Sequence, residues 1–278
     1  MSGQRNIRLL LTDVDGTLVT NDKTLTAATK AVARELHYAG IALAITSSRP
    51  PRGLRMLVEP LALRSAIAGL NGGIYVNPDF SLILSHTLDP AMARHAVNLM
   101  LDQGLDVWVY TEDEWLVRDQ SAPHVAREAW ILDFNAKVVT SFTDAHFAHA
   151  VKIAGISDDF ALVAAGEKAA QEAFGEKASI ACSQPYFLDV TDAQANKGAV
   201  VAALSKRMNI PPEQIATIGD GANDVLMFHK SGFSIAMGNA SDEVKAQASA
   251  VTGSNENDGF AKAVRNFILW PASSVVTR

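Results

Sequence analysis

The segment Asp13-Val14-Asp15-Gly16-Thr17-Leu18 decides the fold of this chain, because it follows an apolar run, residues 7–11, with the composition of a buried strand. Ligands of open α/β sheets bind beyond the carboxyl ends of the strands. Alternation along an extended chain puts Asp13 and Asp15 on one side, and Gly16 permits a sharp turn. Two carboxylates about 4 Å apart repel by about 4 kcal/mol at a dielectric of about 20. The segment therefore predicts a shared proton or a bound cation, unless the two aspartates only cap a loop.

The composition is that of a globular protein. The chain has 278 residues, 48% hydrophobic and 19% charged, and its length suggests two lobes or one domain with a large insertion. The net charge of −6, without a block of Lys and Arg, argues against nucleic acid as a partner. The single cysteine, Cys182, cannot form an intramolecular disulfide. Neither a membrane span nor a secretory pattern is seen, so we expect a soluble cytoplasmic protein with no membrane partner, whose oligomeric state the sequence does not define.

Strand and helix patterns alternate at both ends of the chain, which predicts a parallel sheet covered by helices. A helical stripe over residues 25–39 ends at Gly40 and precedes an apolar strand, residues 41–45. The proline pair at 50–51 predicts the start of a helix. A short strand at 66–68 follows, and then a hairpin.

The pattern changes in the middle of the chain. Two pairs of adjacent strands, 106–110 with 114–117 and 179–183 with 186–190, predict antiparallel α+β structure in place of the βα alternation. The sequence therefore predicts an inserted domain. The predicted boundaries are 1–84 and 192–278 for the core and 85–191 for the insertion.

A second polar motif lies in the C-terminal third. Gly219-Asp220-Gly221-Ala222-Asn223-Asp224 follows the apolar strand 215–218. Asp220 falls at the end of this strand, and Asn223 and Asp224 fall in the first turn of a helix that runs from Ala222 to Phe228. Oxygen ligands of this kind suit Mg²⁺. The alternative is a strand–turn–helix in which an aspartate only caps the helix.

Two further residues are candidates for the same site. Lys197 opens the helix after the insertion, where a cation opposes the helix dipole unless it faces anions. Taken alone, Lys197 would be read as a solvated surface lysine. Ser47, after the second strand, could donate its hydroxyl to a phosphate oxygen or act as an N-cap.

Together these elements resemble the four motifs of the haloacid dehalogenase (HAD) superfamily of phosphohydrolases. The elements Asn71-Gly72-Gly73, Met237-Gly238-Asn239-Ala240 and Asn255-Glu256-Asn257-Asp258-Gly259 are similar to those of its Cof-type branch, whose members dephosphorylate small molecules. The resemblance implies a Rossmann-like parallel-sheet core with an inserted α+β cap domain. Thr46-Ser47-Ser48-Arg49 departs from the usual Ala-Thr-Gly-Arg of the branch. The phosphate-binding hydroxyl is therefore that of Ser47 or Thr46, and alignment on Arg49 selects Ser47.

The resemblance also implies a reaction and a role for each motif residue. The expected enzyme is a Mg²⁺-dependent phosphatase that acts on a small phosphorylated metabolite, such as a sugar phosphate or a phosphorylated cofactor. Asp13 is the expected nucleophile, forming an aspartyl-phosphate, and Asp15 the expected general acid and base. The other expected roles are metal binding by Asp13, the backbone carbonyl of Asp15 and Asp220; phosphoryl binding by Lys197, Ser47 and Asn223; and orientation of Lys197 or a metal-bound water by Asp224.

Other functions remain open at this point. A phosphotransferase or phosphomutase would use the same aspartyl-phosphate, and a non-catalytic small-ligand binding protein would be expected to lose Asp13 or Lys197. The motif order and the length disfavour a receiver domain, and Asp13-Val14-Asp15 stands where a dinucleotide site needs glycines. Tyr110, Trp115 and Arg118 of the insertion either face the site or, for the two aromatic residues, pack in a core. Because Arg118 is the only arginine near the predicted strand pairs, the sequence favours hydrolysis over a mutase reaction.

Overall fold

The computed structural model describes residues 6–269. The strands are β1 (Leu9–Thr12), β2 (Ala42–Thr46), β3 (Ile67–Gly69), β4 (Ile74–Val76), β5 (Leu82–Ser85), β6 (Asp106–Thr111), β7 (Trp115–Val117), β8 (Lys137–Val138), β9 (Ala150–Ile156), β10 (Ala178–Gln184), β11 (Phe187–Asp192), β12 (Ile215–Gly219), β13 (Phe233–Ala236) and β14 (Ala250–Val251). The α-helices are α1 (Ala27–Tyr38), α2 (Arg55–Val58), α3 (Pro90–Asp102), α4 (Val125–Leu132), α5 (Asp144–Ala148), α6 (Phe160–Phe174), α7 (Lys197–Met208), α8 (Val225–Phe228), α9 (Asp242–Lys245) and α10 (Gly259–Ala263). Short 3₁₀ segments include Pro51–Leu54, Leu70–Gly72 and Ala222–Asp224.

The described chain forms two compact units. The core unit comprises residues 6–46, 56–67 and 197–269, and the second unit comprises residues 47–55 and 68–196. The predicted insertion, 85–191, lies wholly within the second unit. That unit also contains the stretch around Ser47, which the sequence had placed with the core. The functional boundary of the insertion stays a prediction.

The core unit is built on a parallel sheet with the strand order β14-β13-β12-β1-β2. The central strand β1 pairs with β12 on one side and β2 on the other, so that Leu9 lies opposite Ile215 and Ala42. Every residue of β1 is buried. Burial on both faces explains why these strands are continuous apolar runs in the sequence rather than alternating patterns.

The first helix confirms the prediction from the apolar stripe. Helix α1 begins after Thr26, whose side-chain oxygen accepts a hydrogen bond of 3.1 Å from the backbone N–H of Thr29. Beyond its end, Gly40 has φ of +73°, a conformation that favours glycine and lets the chain turn into β2.

The second unit contains the predicted antiparallel structure. Strands β4 and β5 form the predicted hairpin, and a six-stranded sheet follows with the order β10-β11-β9-β6-β7-β8. The two predicted strand pairs are confirmed as the antiparallel pairs β6–β7 and β10–β11. Only β7 and β8, among the neighbours in this sheet, run parallel within the described residues.

The six-stranded sheet has two different faces. One face packs with helices α3 and α6 in an apolar core that includes Val109, Ile153 and Leu188. Because side chains alternate along a strand, Tyr110, which follows Val109, and Lys152, which precedes Ile153, lie on the opposite face. There the ammonium of Lys152 contacts the ring of Tyr110. No helix among residues 6–269 is both long and apolar enough to cross a membrane.

Candidate active site

Two neighbouring strands of the core unit bring the two acidic motifs together. Asp13 directly follows β1, and its backbone N–H donates to the carbonyl of Ile218 in β12 at 2.9 Å. Asp220 directly follows β12. Because β1 and β12 are paired and parallel, their carboxyl ends place both aspartates at one edge of the sheet.

Lys197 bridges two of the predicted carboxylates. It is the first residue of α7 and is 2% exposed. Its Nζ lies 2.6 Å from Oδ1 of Asp13 and 2.6 Å from Oδ1 of Asp224. The alternative of a solvated surface lysine is therefore wrong. The two carboxylates offset the unfavourable position of a cation at a helix N-terminus.

Asp224 also fixes the turn that carries the second motif. Its Oδ2 accepts hydrogen bonds from the backbone N–H groups of Asp220 at 2.9 Å and Gly221 at 2.8 Å. The predicted helix from Ala222 therefore begins as a tight 3₁₀ turn, Ala222–Asp224, before α8. A Cβ at Gly219 would lie 2.3 Å from Oδ2 of Asp224, so only glycine permits this approach.

Asp220 is held by residues from two other segments. The Thr17 hydroxyl donates to its Oδ1 at 2.9 Å, and the Asn239 amide donates to its Oδ2 at 3.1 Å and to the carbonyl of Gly16 at 3.0 Å. Gly16 has φ of +78°, and a Cβ there would lie 2.2 Å from Oδ2 of Asp220. Thr17 and Asn239 were inside the recognised motifs, but sequence reasoning gave neither a role.

Asp15 has a cation that the sequence analysis missed. Nζ of Lys23 lies 2.7 Å from Oδ1 of Asp15. The like charges that raise the pKa of Asp13 are those of Asp224 and Asp220. Lys23 comes close through the turn after the motif, and no motif spacing marks it.

Burial makes the carboxylates of this site hard to ionise. Burial raises the pKa of Asp13 well above its ordinary value, although the Lys197 ammonium opposes the shift. Burial, followed by the negative charge of Asp224, raises the pKa of Asp220 from 3.8 to about 7. For Lys197, burial lowers the pKa, but Asp13 and Asp224 together raise it above its ordinary value. The lysine therefore stays protonated, but its single positive charge does not balance Asp13, Asp220 and Asp224 when all three are ionised.

The carboxylates of Asp13, Asp220 and Asp224 could hold a metal ion. Each offers an oxygen, and these oxygens lie within 4.8 Å of one another. An all-oxygen donor set suits a hard cation such as Mg²⁺. The raised pKa values of Asp13 and Asp220 fit the same interpretation, since a divalent cation would neutralise the charge that burial penalises.

The remaining phosphate-binding candidates fall in both units. Asn223 is half-buried in the 3₁₀ turn of the core unit. Ser47 is buried in the second unit, where its hydroxyl oxygen accepts a hydrogen bond of 3.1 Å from the backbone N–H of Arg49. The Thr46 hydroxyl, at the end of β2, has no hydrogen-bond partner within residues 6–269. Assignment of phosphate binding to Ser47 rather than Thr46 thus stays a prediction.

The two aromatic candidates of the insertion pack against each other. Tyr110 and Trp115 are buried and stacked, with ring centroids 6.0 Å apart and planes inclined by 5°. Arg118 is exposed. Lys152, which the sequence pattern did not single out, is buried on β9.

Comparison with known proteins identifies a family that matches the chain, relatives with similar sequences and a solved structure with the same fold. The family model described as haloacid dehalogenase-like hydrolase matches residues 10–264. The chain is 26% identical over 273 residues to 5-amino-6-(5-phospho-D-ribitylamino)uracil phosphatase YcsE of Bacillus subtilis, covering 97% of this chain and 100% of that protein. It is 28% identical over 240 residues to HMP-PP phosphatase of Cronobacter sakazakii, covering 86% of this chain and 87% of that protein. A solved haloacid dehalogenase-like hydrolase from B. subtilis superposes with a TM-score of 0.85 at 23% identity, covering 94% of this chain and 100% of that one, and shares its fold.

Proposed function

Because the chain belongs to the haloacid dehalogenase-like hydrolases and is a phosphoric monoester hydrolase, we propose that it releases phosphate from small phosphorylated metabolites through a Mg²⁺-dependent aspartyl-phosphate route. One observation carries this proposal. The buried ammonium of Lys197 lies 2.6 Å from both Asp13 and Asp224. A lysine so placed can orient Asp13 and stabilise negative charge on a phosphoryl group that Asp13 attacks.

The proposed chemistry assigns a proton or a bond to each residue. A carboxylate oxygen of Asp13 forms a bond to phosphorus while the bond from phosphorus to the leaving oxygen breaks. Asp15 donates a proton to that leaving oxygen and then accepts one from the water that hydrolyses the aspartyl-phosphate. Lys23, 2.7 Å from Asp15, would hold the Asp15 carboxyl in place between these steps.

A divalent cation completes the proposed site. Asp13, Asp220 and the backbone carbonyl of Asp15 would hold it, and it would supply positive charge against a dianionic phosphate monoester. Asp224 would hold Lys197, since its Oδ1 contacts the lysine and its Oδ2 accepts two backbone N–H bonds. Asn223 and Ser47 would donate to phosphoryl oxygens.

We assign leaving-group selection to the insertion, residues 85–191. The names of two relatives refer to different substrates, so similarity supports a phosphatase without defining its metabolite. Closure of an inserted domain is a common way for an enzyme to exclude water and recognise a leaving group.

A phosphomutase is the second candidate, because it would form the same aspartyl-phosphate and pass the phosphoryl group to a second hydroxyl of the sugar instead of to water. A panel of sugar phosphates and phosphorylated cofactors, incubated with Mg²⁺ in ¹⁸O-water and quenched at intervals, separates the two functions. We expect the label in released phosphate at a rate equal to substrate loss. Conversion to an isomeric phosphate without release would support the mutase instead.

Metal dependence should change with pH. Because the pKa of Asp220 lies at about 7, its proton competes with a cation, and Mg²⁺ should bind more tightly as pH rises through 7. The raised pKa also means that ionised Asp220 costs stability progressively between about pH 4 and pH 7 in the metal-free protein. We therefore expect Mg²⁺ to raise Tm more at pH 8 than at pH 6, and EDTA to stop hydrolysis.

Asp220→Asn is the matched variant for this measurement. It should lose most of the difference between the two Tm shifts. Equal Mg²⁺ shifts at both pH values in the wild type would contradict the assignment of Asp220 as a ligand.

A further inference from the structure

The second unit buries a charged pair that the proposed reaction does not use. Lys152 on β9 and Asp189 on β11 are each 2% exposed, and Nζ of Lys152 lies 3.2 Å from Oδ1 of Asp189. We infer that Lys152 and Asp189 are positioning residues for the loop Ser47–Arg49. The inference rests on the proposed function, since it takes Ser47 as the residue that binds phosphate.

The lysine is buried among protein groups, so we assign its effect to these neighbours rather than to a bound ligand. Its Nζ lies 4.5 Å from the ring centroid of Tyr110 and 4.9 Å from that of Phe187. It also donates a hydrogen bond of 3.2 Å to the backbone carbonyl of Ser48. With Asp189 as its ion-pair partner, the ammonium contacts a carboxylate, a backbone carbonyl and two aromatic rings.

The carboxylate of Asp189 extends the network through Asn71 to the preceding carbonyl of the loop, that of Ser47. Oδ2 of Asp189 accepts a hydrogen bond of 3.3 Å from the side-chain amide of Asn71. The backbone N–H of Asn71 donates to the carbonyl of Ser47 at 2.8 Å. Two successive carbonyls, those of Ser47 and Ser48, are therefore attached to one buried pair.

The attachment leaves the Ser47 hydroxyl ready to donate. Its oxygen already accepts from the backbone N–H of Arg49 at 3.1 Å, so its hydrogen is directed elsewhere and can reach a phosphoryl oxygen. Asn71 has φ of 57°, a left-handed conformation that asparagine tolerates better than most residues other than glycine, and its two hydrogen bonds hold it against the loop. Loss of the pair should let both Asn71 and the loop relax.

A buried ion pair of this kind is poorly explained by stability alone. Desolvation of two charges costs as much as, or more than, their attraction returns, and apolar pairs often replace them without loss. Attachment of a functional loop gives the pair a reason that packing does not.

A double-mutant cycle tests the inference. Lys152→Met should lower kcat by about 10-fold to 10²-fold, the range expected when a positioned group moves by about 1 Å. The fall should be similar for glucose 6-phosphate and p-nitrophenyl phosphate, and inorganic phosphate should become a weaker inhibitor by a similar factor. Lys152→Arg should recover part of the activity.

The effect of Lys152→Met on kcat in the Ser47→Ala variant distinguishes action through Ser47 from a general structural role. If Lys152 acts through Ser47, Lys152→Met should have little further effect on kcat in Ser47→Ala. Lys137→Met, which removes an exposed lysine of the same sheet, is the matched control and should behave as wild type.

Two results would overturn the inference. One is a fully additive loss in the double variant, and the other is a rise in KM confined to glucose 6-phosphate, which would make Lys152 a leaving-group contact. If Lys152→Met fails to fold, the charge-free variant Lys152→Met/Asp189→Leu is used in its place. A failure of both to fold would show a structural pair and also overturn it. Absence of phosphate release from wild type and Lys137→Met alike would instead reject the proposed function.

Discussion

Replacing Asp13 with Asn abolishes phosphate release, with an expected fall in kcat of at least about 10⁴-fold, as is typical when a covalent nucleophile is removed. The amide of asparagine has the size of the carboxylate but cannot form the bond to phosphorus. The fold should survive the change. Burial makes ionised Asp13 costly, and its removal still leaves Lys197 beside Asp224 at 2.6 Å. These opposing effects should keep the change in unfolding free energy to about 1 kcal/mol.

The measurement is phosphate release under saturating substrate and Mg²⁺, combined with a thermal melt. Asp22→Asn, an exposed aspartate of the same unit, is the matched control and should retain wild-type activity. Activity of Asp13→Asn within tenfold of the wild type would reject Asp13 as the nucleophile. A large fall in Tm would instead assign the loss of activity to unfolding.

Local patterns predicted most of the fold. The apolar run before Asp13 and the run before Asp220 are both buried strands, β1 and β12, that pair in parallel. The approach of Asp13 to Asp220 follows from this pairing, because parallel neighbours end at the same edge. Strand pairs such as β6–β7 were predictable for a similar reason, since the two runs are separated only by a short turn.

Residues whose roles depend on contacts distant in sequence could not be predicted in this way. Lys152 contacts the carbonyl of Ser48, 104 residues away, and Asp189 contacts Asn71, 118 residues away. A lysine within an apolar strand gives no sign of its partner. Lys23 is near Asp15 in sequence, but its contact depends on the path of an irregular turn that no periodicity describes.

The contacts of Lys197 with Asp13 and Asp224 predict that Lys197→Met both destabilises and inactivates the protein. Removal of the ammonium leaves Asp13 and Asp224 buried without their cation. Loss of one partner of a buried ion pair costs about 3–5 kcal/mol. We expect a loss of this size, measured by denaturant unfolding at pH 8, and phosphate release below detection.

The pH dependence of this loss distinguishes charge from packing. Without Lys197, which opposes the rise of the Asp13 pKa, that pKa should rise further, and protonation at low pH should relieve the repulsion. The stability deficit should therefore be smaller at pH 5 than at pH 8. Lys206→Met, at an exposed position of the same helix, should show no deficit at either pH.

Adding Asp224→Asn to Lys197→Met should recover stability without recovering activity, because it removes a buried charge but restores no cation to the phosphoryl group. A deficit that is equal at both pH values would mean that Lys197 stabilises the protein by packing, and the charge-based account of the site would fail.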